Sequence, residues 1–312
     1  MNYHIVVTGG AGYIGSILVP ELLNAGHKVT VVDNFLYKQT SLQHVCYHPN
    51  FNIIKADIRV KEVMQNVLKD ADIVIPLAAL VGAPLCNQDP IGATTINHQA
   101  ISMMLSLLSK EQRIIMPTTN SAYGSGDEHN YCTEESPLYP MSLYAKEKVK
   151  VEEELMAHGN AISFRLATVF GMSPRMRIDL LVNDFTYRAV HDRFIVLFES
   201  NFKRNYIHVR DVARAFQHGI LNFETMKNNI FNVGLTEANL SKRELCERIQ
   251  QQIPQFVVID APVGQDPDQR NYIVSNEKLE KTGFKPSVSI DAGIAELIKG
   301  YTMIKNSSYS NV

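Results

Sequence analysis

Short apolar runs alternate, through the first half of the chain, with longer stretches whose apolar positions recur every three or four residues. HIVVT (His4–Thr8), KVTVVD (Lys28–Asp33), FNIIKA (Phe51–Ala56), DIVIPLAA (Asp72–Ala79), RIIMPT (Arg113–Thr118) and AISFRLATV (Ala161–Val169) have the length and apolar density of strands. YIGSILVPELLNAG (Tyr13–Gly26), ATTINHQAISMMLSLLSK (Ala93–Lys110) and SLYAKEKVKVEEELMAHG (Ser142–Gly159) have helical spacing. The alternation predicts βαβ units and a parallel sheet covered on both faces. Right-handed crossovers then bring every strand C-terminus to one edge, where open sheets of this kind bind ligands.

After Gly171 the rhythm changes. A loop and helix (172–190), the strand-like RFIVLF and YIHV, a helix at 210–221, a strand IFNVG, and helices at 241–253 and 289–301 follow. The expected division is a dinucleotide domain over 1–170, with 206–235 returning to it. A smaller mixed α/β substrate lobe takes 171–205 and 236–305. The polar end, 306–312, is read as a disordered tail.

Composition narrows the function without naming it. Of 312 residues, 45% are apolar and 20% charged, the balance of an ordinary soluble globular protein. A net charge of −2 gives no basic surface for nucleic acid or membrane. Cys46, Cys86, Cys132 and Cys246 are scattered, without metal-ligand spacing. No metal is expected, and a reducing cytoplasmic setting is. The N-terminus lacks the pattern of a signal peptide. The longest apolar run, Ile73–Leu85, is broken by Pro and Gly and falls short of the roughly 20 residues that span a bilayer.

The first strand runs into TGGAGYIG, where Gly9, Gly12 and Gly15 are spaced three apart and a helix follows. Such a turn lets a backbone approach a pyrophosphate closely, with the phosphates at the positive end of the helix. Asp33 ends the second strand, where a carboxylate accepts from ribose hydroxyls and repels a 2′-phosphate, favouring NAD over NADP. These features predict an α/β, Rossmann-type, doubly wound parallel sheet. Tyr144 and Lys148 stand one helical turn apart on one face. A phenol beside an ammonium can move protons; alone, at a pKa of about 10, it is a poor base.

The ordered set TGGAGYIG, Asp57–Ile58, PLAALVG, Asn97, TTNSAYG, YAKEK, RLATVFG, RNYIHVRDVA and FNVG covers nearly the whole chain. It resembles the extended short-chain dehydrogenase/reductase family, nucleotide-sugar epimerase/dehydratase branch. The resemblance implies an NAD-dependent enzyme with Thr119, Tyr144 and Lys148 as its catalytic set. It places the cofactor against Gly9, Gly12, Tyr13, Ile14, Gly15, Asp33, Asn34, Asp57 and Ile58, and against Leu77, Ala78, Ala79 and Asn97, besides Tyr144 and Lys148. It places a nucleoside-diphosphate sugar against Val81, Asn120, Ser121, Thr168, Arg175 and Asn183, with Arg204 and Arg270 on the diphosphate.

Family members that eliminate water or carbon dioxide carry a carboxylate just after the catalytic Thr; this chain has Asn120 and Ser121. An amide and a hydroxyl do not replace a carboxylate as general base. Redox at one carbon, C4 by resemblance, is therefore expected. The branch most resembled contains GDP-heptose 4-dehydrogenases of bacterial capsule pathways. A C4 epimerase with retained NAD, and a non-catalytic dinucleotide sensor on the same fold, are the alternatives. The resemblance also implies a homodimer or higher homo-oligomer formed through the helices holding Asn97 and Tyr144.

Overall fold

The computed structural model describes residues 2–125, 131–261 and 270–304. The expected tail, 306–312, lies outside them. Seven parallel strands form the central sheet in the order β10-β6-β5-β4-β1-β2-β3. In chain order its strands are β1 (His4–Thr8), β2 (Lys28–Asp33), β3 (Phe51–Lys55), β4 (Ile73–Pro76), β5 (Arg113–Thr119), β6 (Ala161–Leu166) and β10 (Asn229–Val233). The order reverses between β1 and β4, so the crevice for a ligand opens at their C-terminal ends.

The sheet's apolar runs follow from burial on both faces. Ile5 and Val7 of β1 pack on one side with Leu18, Phe164 and Phe216. Val6, between them, points to the other side and meets Val74, Met104 and Leu155. Helices α1 (Gly15–Asn24) and α8 (Val209–Leu221) cover the first face; α2 (Lys61–Leu68), α5 (Ala100–Leu107) and α6 (Leu143–His158) cover the second. Thus α8 and β10, from the second half of the chain, belong to the first layer system.

Two small sheets build the other lobe: β7 (Thr168–Phe170), β9 (Lys203–His208) and β11 (Asn239–Ser241) in one, β8 (Phe194–Leu197) and β12 (Val257–Asp260) in the other. Helices α7 (Leu181–His191), α10 (Lys242–Gln252) and α12 (Ile290–Tyr301) pack with them around Phe170, Tyr206 and Leu245. Short helices α3 (Ala83–Gln88), α4 (Pro90–Thr94), α9 (Phe223–Met226) and α11 (Glu277–Glu280) complete the described α-helices.

The sequence pattern misses some of this. AISFRLATV is two strands, because Ala167 leaves β6 to bond Val233 and the chain crosses into the small sheet. The helix expected over 93–110 is α4, a π-turn at Thr95–Gln99, and α5. Asn97 lies in that π-turn, a device that often marks a functional site. The short α2 and β12 were not foreseen. Among the described residues no helix is long and apolar enough to cross a membrane.

Candidate active site

A cleft of about 620 Å³ runs along the C-terminal edge of the central sheet. One wall is the glycine turn. Gly9 has φ 65°, and a Cβ there would stand 2.6 Å from the Ala78 backbone. Gly15 is held against the Gly10 backbone with no room for a side chain. Gly12 meets only the Gly9 carbonyl, at 3.1 Å, which leaves it bare toward the cleft. Helix α1 starts with neither a side-chain cap nor an acidic first turn, so its positive end is free for an anion.

Asp33 closes the far end. Its Oδ2 accepts from Ala11 N at 3.1 Å, and Oδ1 accepts from Phe35 N at 2.8 Å and Gln39 Nε2 at 3.2 Å. Burial pushes its carboxyl up, against these donors. Asp57, also in the cleft wall, is bridged to Arg59 at 2.6 Å and held below the usual carboxylate range by it.

At the near end β5 delivers Thr119, and α6 delivers Tyr144 and Lys148. Ser142 caps α6 by accepting from Ala145 N at 3.2 Å, which sets the helix start just before Tyr144. Thr119 Oγ1 donates to Ser121 Oγ at 3.0 Å and accepts from Ser121 N at 3.1 Å. Lys148 Nζ donates to Pro117 O at 3.1 Å, and burial brings its pKa down to about 8. Burial pushes Tyr144 up to about 12; Arg177, then Arg270, are the cations that pull it down. Lys148 is moored to the strand, and the arginines supply the field.

Residues 5–234 match the NAD dependent epimerase/dehydratase family. The chain belongs to that family. Among its relatives, UDP-N-acetyl-alpha-D-glucosaminuronate decarboxylase of Bacillus cytotoxicus is 26% identical over 98% of this chain and 100% of its own. UDP-glucuronic acid decarboxylase 1 of Arabidopsis thaliana is 25% identical over 95% of this chain and 69% of its own. The structure of Thermus thermophilus UDP-glucose 4-epimerase in complex with NAD superposes with a TM-score of 0.81, at 24% identity, over 96% of this chain and 99% of that one.

NAD is the cofactor of the family, and the residues present fit it. The Gly9–Ala78 approach leaves a cradle bare of side chains beside α1, and Asp33 stands at the β2 end as a ribose acceptor would. Expected cofactor residues Gly9, Gly12, Tyr13, Ile14, Gly15, Asp33, Asn34, Asp57, Ile58, Leu77, Ala78, Ala79, Tyr144 and Lys148 all line the cleft. With Asp33 already desolvated, a second anion beside it is strongly disfavoured. We therefore expect NADH to bind at least roughly 100-fold more tightly than NADPH. Fluorescence titration of both onto cofactor-stripped protein checks this; equal affinities would remove Asp33 from that role.

Of the expected substrate residues, Val81, Ser121, Thr168, Arg175 and Arg270 line the cleft. Four expected residues do not. Asn97 spends its amide on Leu80, donating to its O and accepting from its N, both at 2.8 Å. Asn183 accepts from Gly171 N at 3.0 Å and donates to Arg177 O at 2.8 Å and Tyr13 Oη at 3.2 Å. Both stand behind the cleft lining, with their amides bonded to the backbone. Asn120 is buried, and neither of its amide atoms has a hydrogen-bond partner. Arg204 is buried under the Tyr272 ring, 5.9 Å from its centroid.

Arg270 reaches further than expected and donates to Ser121 Oγ, which places its charge beside the reacting end. Sequence reasoning missed Tyr37, Gln39, Arg177 and Tyr272, which also line the cleft. Only Arg177 carried a signal, two residues after Arg175 in RMRID. It lies between Arg175 and Asp179, and Asp179 accepts from it at 2.5 Å.

Proposed function

We propose that the protein oxidises C4 of a nucleoside-diphosphate sugar, with hydride passing between that carbon and NAD. The observation that carries this is the composition of the reacting end. Thr119, Ser121, Tyr144, Lys148 and Arg270 meet there, while the described carboxylates of the cleft wall, Asp33 and Asp57, stand at the ends of β2 and β3. No described carboxylate is placed to take a proton from a carbon beside a new ketone. Elimination and decarboxylation chemistry is thereby disfavoured, although relatives named above are decarboxylases.

NAD, when bound, supplies the hydride acceptor. Thr119 holds the C4 hydroxyl oxygen, and Tyr144 takes its proton. Arg177 and Arg270 ease that transfer by favouring the phenolate. Lys148, fixed to Pro117 O, is positioned to hold the nicotinamide end in place. Arg270, which lines the cleft, suits a phosphate of the substrate, whereas Arg204 is buried behind Tyr272 and is left out of that role. GDP-heptose is our first choice of substrate, on the resemblance alone. The active unit is taken to be a dimer joined through α4–α5 and α6.

A C4 epimerase is the second reading, since the same groups can return hydride to the other face and the family includes epimerases. Both readings forbid exchange at C5. In deuterated water with candidate NDP-hexoses and NDP-heptoses, and a keto acid to reoxidise NADH, we expect a product two mass units lighter and no deuterium at C5. A product of unchanged mass inverted at C4 would select the epimerase. Loss of water, or label at C5, would overturn both.

A further inference from the structure

Arg175 was expected to touch the sugar nucleotide, but its surroundings belong to the glycine turn. The loop that carries it, 171–177, is fastened there by a run of hydrogen bonds. Tyr13 Oη donates to Gly171 O at 2.6 Å, and Ser173 Oγ donates to Tyr13 O at 2.7 Å. The Ser16 and Ser173 hydroxyls are 2.8 Å apart, and Arg175 N donates to Ser16 Oγ at 3.4 Å. Ser16 lies in the first turn of α1. The Arg175 backbone is therefore moored to the end of the helix where an anion is favoured.

The Arg175 guanidinium stands 4.5 Å from the centroid of the Tyr37 ring. Tyr37 comes from a separate segment, the loop that follows Asp33. That loop passes through two left-handed residues that are not glycine, Phe35 (φ 56°) and Lys38 (φ 52°). Such conformations persist where surrounding structure enforces them, and they gather at ligand clamps. Here the enforcement is visible. Asn34 Oδ1 accepts from Leu36 N at 3.0 Å, Gln39 Oε1 accepts from Tyr37 N at 3.1 Å, and Gln39 Nε2 donates to Asp33. The turn thus delivers Tyr37 to Arg175. The Tyr37 hydroxyl is buried there without a hydrogen-bond partner. A buried hydroxyl is costly in that condition, and a ligand oxygen would relieve it. Burial also pushes Arg175 down from its ordinary pKa, a cost that a bound anion would offset.

We propose that Arg175 and Tyr37 form a clasp on the dinucleotide, Arg175 pairing with its pyrophosphate and Tyr37 hydrogen-bonding it while the stacked pair joins the two loops that carry them. This reassigns Arg175 from the substrate to the cofactor, and it rests on the reading of the cleft as an NAD site. It also gives a purpose to the strained loop after β2, which the chemistry at Tyr144 does not require.

The test measures NADH binding and release by fluorescence, with excess NAD displacing NADH in a stopped-flow instrument. Wild type is compared with Arg175→Met, Tyr37→Ala and Tyr37→Phe. Loss of a charge-assisted contact corresponds to about a 10- to 100-fold change. NADH should therefore leave Arg175→Met about 10- to 100-fold faster. Tyr37→Ala should approach that effect, and Tyr37→Phe, which keeps the stack and loses the hydroxyl, should show a smaller one. Binding of GDP or UDP to NADH-saturated protein should be unchanged in all three. Wild-type NADH release with weakened GDP or UDP binding in Arg175→Met would return Arg175 to the substrate and overturn the clasp. So would wild-type behaviour of all three variants in both assays. If Arg175→Met fails to fold, the two Tyr37 variants decide. If wild type itself binds no NADH, the underlying NAD reading has failed, a different outcome from a clasp that makes no difference.

Discussion

Tyr144→Phe should lower turnover by about 10²- to 10⁴-fold, the range of a lost general acid–base group. The phenol is the only described group placed to take the hydroxyl proton next to Thr119. Lys148 cannot replace it, because its ammonium is moored to Pro117 O. The ring itself packs against the cluster of Leu80, Cys86 and Ala93, and Phe keeps that packing. Stability and NADH affinity should therefore stay near wild type while chemistry is lost. Single-turnover reduction of bound NAD on mixing with a nucleotide sugar reads the chemical step directly; circular dichroism and NADH titration read the controls. A variant within tenfold of wild type would remove Tyr144 from the role of base.

Glu152→Ala should have the largest effect on stability. Glu152 follows Lys148 by one turn, so Tyr144, Lys148 and Glu152 share one face of α6. Its Oε2 accepts from Thr118 Oγ1 at 2.9 Å and Ser163 Oγ at 2.7 Å, and its Oε1 accepts from Arg165 at 2.5 Å. Arg165 continues to Tyr123 Oη at 3.0 Å, and Tyr123 donates to Asn232 Oδ1 at 2.7 Å. Helix α6 is thus tied to β5, β6 and β10 directly beneath the reacting end. Removing the carboxylate leaves Arg165 as a buried, uncompensated charge and takes the acceptor from two hydroxyls. The cost expected is about 3–5 kcal/mol, a large share of a typical domain's stability. Urea unfolding should show a clearly lower midpoint for Glu152→Ala, with Glu152→Gln between it and wild type. An unchanged midpoint would mean that the buried pair contributes nothing beyond what water could replace.

What could be read from the chain, and what could not, divides by the range of the interactions involved. The glycine turn and Asp33 depend on neighbouring residues, so spacing placed them at the cleft, while the Tyr144–Lys148 pair was placed there by its resemblance to the family's ordered motifs. The parallel strands were legible because burial on both faces leaves near-continuous apolar runs. Asn97 and Asn183 fit the expected pattern of residue types, yet their amides are consumed by the backbones of Leu80, Gly171 and Arg177. A sequence motif does not reveal which way an amide turns. Arg177 was signalled only by its place two residues after Arg175, and Tyr37 and Tyr272 enter the cleft from two separate segments through tertiary packing, with no local pattern to announce them. The same holds for the Arg270–Ser121 contact, formed between residues 149 positions apart.

The most direct test of C4 oxidation follows the hydride itself. Protein loaded with NAD is mixed with a nucleoside-diphosphate sugar carrying deuterium at C4, GDP-heptose first and UDP-sugars next, and the cofactor released by denaturation is weighed by mass spectrometry. The expected result is NADH one mass unit heavier than that formed from unlabelled sugar, with no label transferred by Tyr144→Phe. Reduced cofactor formed without the label would contradict oxidation at C4, and NAD left fully oxidised by every sugar tried, with no sugar inverted at C4, would contradict the assignment as a redox enzyme of nucleotide sugars.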